Sequence, residues 1–297
     1  MRYGAAILGL FALLALALAA PPATLASGGQ DAADAGAPPP ASFTAPDWLH
    51  ALQLIADLRA QPPRAPLILI IGDSTAREAT ISDASLTAAI GRLSGRKVVA
   101  HNIASNSQLF AQDVALVPFI PHRQTIVFIG VDVVRFSQAA ATVTVKLPLP
   151  GSIQRFRQHR YRVSSVLSLS QKRANVETWL REGLPAFEAY YQDDLATLEQ
   201  EVAACKARGL YPVLLNTPRN TAVIGDKWSA PVETYVAGCA ALAAKYDIPF
   251  VNFVGRAHFA AGDFYDLIHA VEPGRARFQP LLCVRAARLL ARYFPAK

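Results

Sequence analysis

Residues 67–75 read LILIIGDST, and this stretch decides the fold. Its first five side chains are all branched and aliphatic, which is typical of a strand buried on both faces of a parallel sheet. A glycine, an acid and two hydroxyl residues follow at once. The stretch therefore indicates an α/β domain with polar side chains at the carboxyl end of its first strand.

Four further runs rich in branched residues predict four more strands, at Lys97–Ile103, Thr125–Gly130, Tyr211–Asn216 and Pro249–Phe253. Helical patterns alternate with these runs. This alternation predicts a single three-layer, doubly wound α/β domain around a mostly parallel five-stranded sheet.

The helices carry recognisable start and stop signals. Ser82 is a predicted N-cap, and Gly209 is predicted to stop a long helix that begins near Leu184. Another helix is predicted after Ser229, and a last one closes the domain and ends near Tyr293.

The chain begins with segments that are not predicted to join this domain. Residues 1–26 hold a basic start, an apolar run and a small-residue site, which together predict a secretory signal peptide; an uncleaved membrane anchor is the alternative. Residues 27–46 are rich in Ala, Gly and Pro and predict a flexible linker. Residues 47–297 then form the predicted domain, exported to the periplasm or secreted.

Composition excludes several classes of protein. The chain has 297 residues, of which 52% are hydrophobic and 17% charged, so it is neither disordered nor a multi-pass membrane protein. Cys205, Cys239 and Cys283 are too few and too far apart for a disulfide scaffold, and at most one pair can form. Neither GxGxxG, a P-loop nor HExxH occurs, and we predict no metal and no organic cofactor.

Functional residues are expected where the parallel strands end, because the carboxyl ends of such strands meet at one rim of the sheet. The loops that reach this rim are residues 72–75, 102–108, 130–132, 217–220 and 262–269. A serine, an aspartate and a histidine are thereby predicted to meet.

Ser74, His269 and Asp266 are the predicted catalytic residues. A serine hydroxyl is a weak nucleophile until a base takes its proton, and a histidine serves as that base when a carboxylate orients it. Asp266 precedes His269 by three positions, so its carboxylate can reach Nδ1 and leave Nε2 facing Ser74.

The GDS tripeptide directly after the first strand, with DxxH before a closing helix, resembles the SGNH (GDSL) hydrolase family. The resemblance spans about residues 66–295 and implies an acyl-serine intermediate. A flavodoxin-like phosphate loop is an alternative interpretation of Gly72–Thr75, but it would not explain DxxH. The nucleophile turn of α/β-hydrolases nearly fits as well, but that turn normally follows several strands and only one predicted strand precedes Ser74. Arg77, three residues after Ser74, adds a looser similarity to polysaccharide O-acetyltransferases and related esterases.

The resemblance also implies an oxyanion hole, in which this chain departs from the family pattern. The family uses the serine N–H, a glycine N–H after the second strand and an asparagine side chain after the third. Here Ser107 or Asn106 takes the glycine's place, and Asp132 stands where asparagine is expected. Either Asp132 is protonated, or another amide such as that of Asn106 replaces it, or the protein is weak or inactive. A loop cap without a catalytic role is the remaining interpretation of Asp132.

Three further rim residues are candidate substrate ligands. Arg77 is expected either to bind a substrate anion or to pair with Glu78 or Asp83 on the surface. Arg219 and Asn220 follow the fourth strand and are expected to contact substrate.

An insertion at about residues 134–183 carries much of the net charge of +7. Within it, residues 152–173 contain six basic residues and no acid: Arg155, Arg157, Arg160, Arg162, Lys172 and Arg173. We interpret this segment as a lid, or as a dock for an anionic polymer or a membrane surface; a solvated basic loop is the alternative. Nucleic acid is not an expected partner of an exported protein.

The sequence thus predicts a secreted or periplasmic serine esterase that removes short acyl groups, such as acetyl, from a carbohydrate or cell-envelope polymer. One alternative is a polysaccharide O-acyltransferase with the same triad. Another is a weak or inactive accessory protein in exopolysaccharide biosynthesis or export.

Overall fold

The computed structural model describes residues 46–139, 141–152, 160–253 and 257–295. The predicted signal peptide and all but the last residue of the predicted linker lie outside the described residues, so both stay predictions. From Pro46 onward the described chain forms one compact unit.

The sheet has five strands: β1 (Leu67–Ile71), β2 (Val99–Asn102), β3 (Thr125–Val131), β4 (Tyr211–Asn216) and β5 (Phe250–Asn252). They lie in the order β2-β1-β3-β4-β5, and every neighbouring pair is parallel. The predicted α/β fold is confirmed, and the described sheet is parallel throughout. Because the strand order reverses between β1 and β3, the ligand crevice is expected where these two strands end.

The described residues form nine α-helices, of which the four predicted ones follow the expected alternation and five are additional. They are α1 (Pro46–Ala60), α2 (Ser74–Glu78), α3 (Asp83–Ser94), α4 (Phe110–Leu116), α5 (Leu169–Thr178), α6 (Leu184–Ala207), α7 (Thr221–Ile224), α8 (Ser229–Tyr246) and α9 (Glu272–Tyr293).

Several helix ends lie where the sequence signals predict them. The Ser82 hydroxyl accepts a hydrogen bond from the N–H of Ser85 at 3.1 Å and caps α3. Gly209 follows α6 with φ of 71°, a left-handed conformation that glycine adopts at little cost. Helix α1 was not predicted, although it buries Trp48 and Ile55.

The core lies on both faces of the sheet. Every residue of β1 and β3 is buried, as the continuous apolar runs predict. Helices α3 and α9 share one apolar cluster with the sheet, whereas α4 and α8 pack against α6, and α6 and α8 contact β4. The three cysteines are buried and free. None of the helices in the described part of the chain has the length and apolar character needed to cross a membrane.

Candidate active site

The nucleophile turn between β1 and α2 needs glycine at its first position. Gly72 has φ of 142°, and a Cβ added there would lie 3.0 Å from the Cβ of Ala76 and 3.3 Å from the Cα of Gly130. The turn therefore packs directly on the end of β3. It places Ser74 at the first position of α2, where a backbone N–H has no acceptor within the helix.

The structure brings Ser74, His269 and Asp266 together. Nε2 of His269 lies 2.8 Å from Oγ of Ser74, and Nδ1 lies 2.7 Å from Oδ2 of Asp266. The other oxygen of Asp266 accepts the N–H groups of Ile268 and His269 at 2.9 Å each. These contacts fix the carboxylate, and with it the imidazole, in the arrangement of a nucleophile, a base and an orienting acid.

Burial and charge act in opposite directions on this pair. Burial disfavours the charged form of Asp266, but the nearby His269 and the hydrogen bonds hold the pKa of Asp266 below its usual range. Burial also opposes protonation of His269, yet the Asp266 carboxylate raises the pKa of His269 above 6.5. The pair is therefore built to accept and hold a proton on the imidazole.

Two buried side chains support the loop that carries Asp266 and His269. Asn220 is fully buried, and its Nδ2 donates to the carbonyls of Asp266 at 3.0 Å and Ala261 at 3.2 Å. The Nζ of Lys172 donates to the carbonyls of Ala261 at 2.6 Å and Phe264 at 2.7 Å. The expectation that Asn220 contacts substrate is thereby corrected, because its amide holds the loop and is out of reach of solvent.

Arg77 is also engaged within the protein. Its guanidinium pairs with Asp47 of α1 and with Glu78, and Glu78 pairs in turn with Arg275 of α9. Arg77 keeps only 7% of its surface exposed. The substrate role expected for Arg77 is therefore corrected to a buried network that joins α1, α2 and α9. The pairing with Glu78 was foreseen, but on an exposed surface.

Arg219 stays accessible at the rim. It is half-buried, and its Nη1 donates to the hydroxyl of Tyr235 at 3.2 Å. That hydroxyl donates to Oδ1 of Asn216 at the end of β4. Arg219 is thus held at the carboxyl end of the sheet, as its position after β4 implies, and its role toward substrate stays a prediction.

The loop after β2 lies against the nucleophile turn. The N–H of Ser105 donates to the carbonyl of Gly72 at 3.0 Å, and Asn106 and Ser107 are exposed at the loop tip. Ser107 has φ of 53°, a left-handed conformation in which glycine is the usual residue. Serine therefore carries a small backbone cost at this position.

A buried arginine fixes the base of the same loop. Arg135 donates to the carbonyl of Gly130 at 2.6 Å and to that of Gln108 at 3.3 Å. It also pairs with Asp113, which accepts a further hydrogen bond from the Gln108 amide. The ends of β2 and β3 are thereby held in one arrangement by a charge buried inside the protein.

Asp132 does not supply an oxyanion donor in this structure. Its Oδ1 accepts the N–H groups of Val134 at 2.8 Å and Arg135 at 3.1 Å, and its Oδ2 lies 2.8 Å from Oγ1 of Thr75. Both oxygens are thus engaged within the protein. The oxyanion role expected for Asp132 is corrected to that of a loop cap which also touches the nucleophile turn.

An aromatic residue of the insertion lies beside the imidazole of His269. The ring of Tyr161 lies 4.7 Å from that of His269 and 4.3 Å from that of Tyr265, between centroids. The Tyr161 carbonyl accepts a hydrogen bond from Arg275, and Leu167 donates its N–H to the carbonyl of Tyr265. Sequence analysis missed Tyr161, since nothing in its local pattern indicates where the insertion crosses the domain.

The basic residues of the insertion divide into two groups. Arg160 donates to the carbonyl of Thr80, and Lys172 is buried under the loop that carries Asp266 and His269, so these two hold the insertion in place. Arg162 and Arg173 are exposed. Arg155 and Arg157 lie outside the described residues. Docking of an anionic polymer or membrane by residues 152–173 therefore stays a prediction. Since Arg160 and Lys172 are engaged within the protein, at most four of the six basic residues are left to bind such a partner.

No family model matches this chain, and no curated protein matches it. Among solved structures, a GDSL-like lipase from Bacteroides thetaiotaomicron is similar at 10% identity and a TM-score of 0.47, over 82% of this chain and 100% of the other. A catalytic mutant of an acetylxylan esterase from Geobacillus stearothermophilus is similar at 13% identity and 0.47, over 78% and 95%. The hydrolase LAE5 from the metagenome of Lake Arreo, Spain, reaches 14% and 0.49, over 76% and 97%.

These likenesses are distant, so the chemistry of the site rests on its own geometry. The five parallel strands, the GDS turn after β1 and the DxxH loop before α9 are the features by which this chain resembles the SGNH (GDSL) hydrolases.

Proposed function

We propose that this protein is a serine esterase that releases short acyl groups from a hydroxylated substrate. The observation that carries the proposal is the continuous hydrogen-bonded path from Ser74 Oγ through His269 to Asp266, with distances of 2.8 and 2.7 Å. Such a path lets the imidazole take the serine proton while the carboxylate orients the imidazole and raises its pKa.

Acylation begins when Ser74 Oγ attacks the carbonyl carbon of the ester. As the C–O bond forms, Nε2 of His269 takes the hydroxyl proton, and Asp266 stabilises the imidazolium through Nδ1. When the tetrahedral intermediate collapses, the bond to the leaving oxygen breaks and His269 returns the proton to that oxygen. An alcohol leaves and an acyl-serine remains.

Deacylation repeats these steps with water. His269 removes a proton from the water as its oxygen attacks the acyl carbon, and then gives the proton back to Ser74 Oγ. The acid is released. The N–H of Ser74 and a donor from Asn106 or Ser107 are our candidates for the oxyanion hole, because the loop after β2 is bonded to the nucleophile turn at Gly72.

A short acyl group suits the covered site. Ser74 and His269 are each only 8% exposed, and the Tyr161 ring lies over the imidazole. A long acyl chain would need an apolar groove beside Ser74, whereas the side chains at the rim include Asn106, Ser107 and Arg219. The carbohydrate or envelope-polymer part of the proposal, and export itself, are supported by the sequence of residues 1–46 and by the family resemblance.

Transfer to a sugar hydroxyl is the second candidate. His269 is largely buried and the Tyr161 ring lies 4.7 Å from the imidazole. A site from which water is excluded lengthens the life of an acyl-serine and favours another acceptor. Hydrolase and transferase share the first half of the reaction, so only the product distinguishes them.

The test is turnover of an ester panel by the wild type and Ser74→Ala. The panel contains aryl acetate, butyrate and octanoate together with acetylated xylose and glucose oligomers, and the products are followed with and without an unacetylated acceptor. We expect acetate release that Ser74→Ala abolishes. Equal turnover by the two proteins would contradict the proposal, and acyl transfer to the acceptor would favour the second candidate.

A further inference from the structure

The hydroxyl of Thr75, next to the nucleophile, contacts three oxygen atoms. Its Oγ1 lies 2.7 Å from Oδ1 of Asp73, 2.8 Å from Oδ2 of Asp132 and 2.9 Å from Oγ1 of Thr217. All four residues are buried, with exposures of 5% or less. These residues come from the nucleophile turn, the end of β3 and the end of β4, so the Thr75 hydroxyl links three segments of the chain that form the candidate site.

Counting protons shows that two ionised carboxylates do not fit this arrangement. A threonine hydroxyl has one proton to donate, and an ionised carboxylate can only accept. If Thr75 donates to Asp73, then Asp132 Oδ2 faces a lone pair at 2.8 Å unless it carries a proton itself. If Thr75 donates to Asp132, the same difficulty passes to Asp73. The geometry therefore requires one proton on the two carboxyl groups.

The surrounding charges place that proton on Asp132. The Arg135 guanidinium interacts with Asp73, and Asp73 also accepts the Thr75 N–H at 3.0 Å, so Asp73 has a cation and an N–H donor beside it. Asp132 instead faces the Asp73 carboxylate and the phenol of Tyr235 from α8. The remaining charge near the pair, Asp113 on α4, is neutralised by its ion pair with Arg135.

Burial raises the pKa of Asp132 to about 7, and the charge of Asp73 raises it in the same direction. The hydrogen bonds that Asp132 receives from Val134 and Arg135 act against this rise. They occupy Oδ1 and leave Oδ2 as the oxygen that faces Thr75.

We propose that Asp132 is a positioning residue that acts as a protonated carboxylic acid: it donates to the Thr75 hydroxyl, which donates to Asp73, and this relay holds the turn that presents Ser74. One negative charge is thus shared by two acids across a hydroxyl, and no proton enters or leaves during the ester reaction. In this chain an amide N–H at position 132 could donate to Thr75 as the acid O–H does.

Asp132→Asn tests this relay because it places a permanent donor where the acid proton would lie. In the wild type, the pKa of Asp132 is raised on folding from 3.8 to about 7, so the folded state binds more protons than the unfolded state between these values. The stability of the wild type relative to Asp132→Asn should therefore fall as pH rises from about 4 to 7 and then level off. Urea unfolding across this range measures the difference.

A second measurement needs no substitution at Asp132. The ¹³C carboxyl resonance of Asp132, assigned through its own backbone amide in the wild-type protein, should titrate with a midpoint about two or more pH units above that of an ordinary aspartate. These two readouts do not depend on whether the chain is an esterase. A titration midpoint near 4, or no pH dependence of the stability difference, would overturn the proposal.

The rate at which a fluorophosphonate modifies Ser74 shows whether Asp132 positions Ser74 or only stabilises the fold. Asp132→Asn should react about tenfold faster than Asp132→Ala and should lose the decline at alkaline pH that the wild type shows as Asp132 ionises. Asp194→Asn is the matched control, because Asp194 also has its pKa raised to about 7 but accepts from Gln138 and does not touch Thr75. The Asp194 variant should keep the wild-type pH profile. An Asp132→Asn profile identical to that of the wild type would also overturn the proposal.

Discussion

Nε2 of His269 lies 2.8 Å from Oγ of Ser74, although 195 positions separate the two residues in the chain. The contact forms because Ser74 follows β1 and His269 lies in the loop before α9, and both positions are at the same rim of one parallel sheet. A distance at which a proton can pass between two side chains is thus a direct consequence of topology.

Asp266→Asn should lower kcat/KM for an aryl acetate by about 10³–10⁴-fold, because an amide cannot stabilise the imidazolium and can favour the wrong tautomer. The fold should persist, since Asn can still accept the N–H groups of Ile268 and His269. Steady-state kinetics together with circular dichroism measure both effects. A loss of less than about tenfold would argue against an orienting role for Asp266.

The activity of the wild type should decline as pH falls through the pKa of His269, with a midpoint above 6.5, because the protonated imidazole cannot act as a base. In Asp266→Asn the residual activity should show this midpoint at lower pH, since the carboxylate that raises the pKa is gone. The raised pKa of His269 also makes the free energy of unfolding depend on pH, in the opposite direction from activity. The contribution of His269 is fully present below pH 6.5 and is lost as pH rises through the folded-state pKa. A midpoint that Asp266→Asn leaves unmoved would contradict this coupling.

Lys172→Met should reduce both stability and activity, because it removes the two hydrogen bonds by which Nζ holds the carbonyls of Ala261 and Phe264. We expect a loss of about 1–3 kcal/mol in the free energy of unfolding, as for other buried hydrogen-bonding groups that lose a partner. Arg173→Met is the matched control, since Arg173 is the next residue of α5 and is exposed. Equal effects of the two substitutions, measured by urea unfolding and by kcat/KM, would show that the buried ammonium does not support the catalytic loop.

Tyr161→Ala should change the preference for acyl length. Without the ring, the imidazole and the space beside Ser74 open, and the ratio of kcat/KM for acetate over octanoate should fall about tenfold. The loss of two ring contacts should also cost about 1 kcal/mol of stability. Tyr161→Phe keeps the ring and serves as the control. An unchanged ratio in Tyr161→Ala would mean that the insertion does not limit the acyl group.

The sequence predicts the sheet, and the meeting of Ser74, His269 and Asp266 at its rim, because both depend on local patterns. The run LILII is typical of a strand buried on both faces, and the residues that follow such a strand lie at the rim. Ser74, Asp266 and His269 were found by this reasoning, and the strand bounds differ from the predicted ones by two residues or fewer.

The supporting residues could not be predicted, since their roles depend on distant partners. Arg77 and Asn220 are polar residues at the rim, and only the packing of α1 and of the DxxH loop turns them inward. Tyr161 and Lys172 reach the site from an insertion whose course has no periodic pattern. At position 132 the sequence shows a carboxylate, an acceptor, where the family pattern has an amide donor. It does not show that the Asp132 carboxyl lies 2.8 Å from the Thr75 hydroxyl, which also contacts Asp73.

The most direct test of the central claim is covalent labelling of the folded protein with a fluorophosphonate, followed by peptide mass spectrometry. A serine that a neighbouring histidine activates should be phosphonylated, and a resting serine should not. We predict a single adduct on Ser74 that disappears in His269→Ala and, by intact mass, in Ser74→Ala. A wild-type protein that is folded by circular dichroism but carries no adduct on Ser74 would contradict the account.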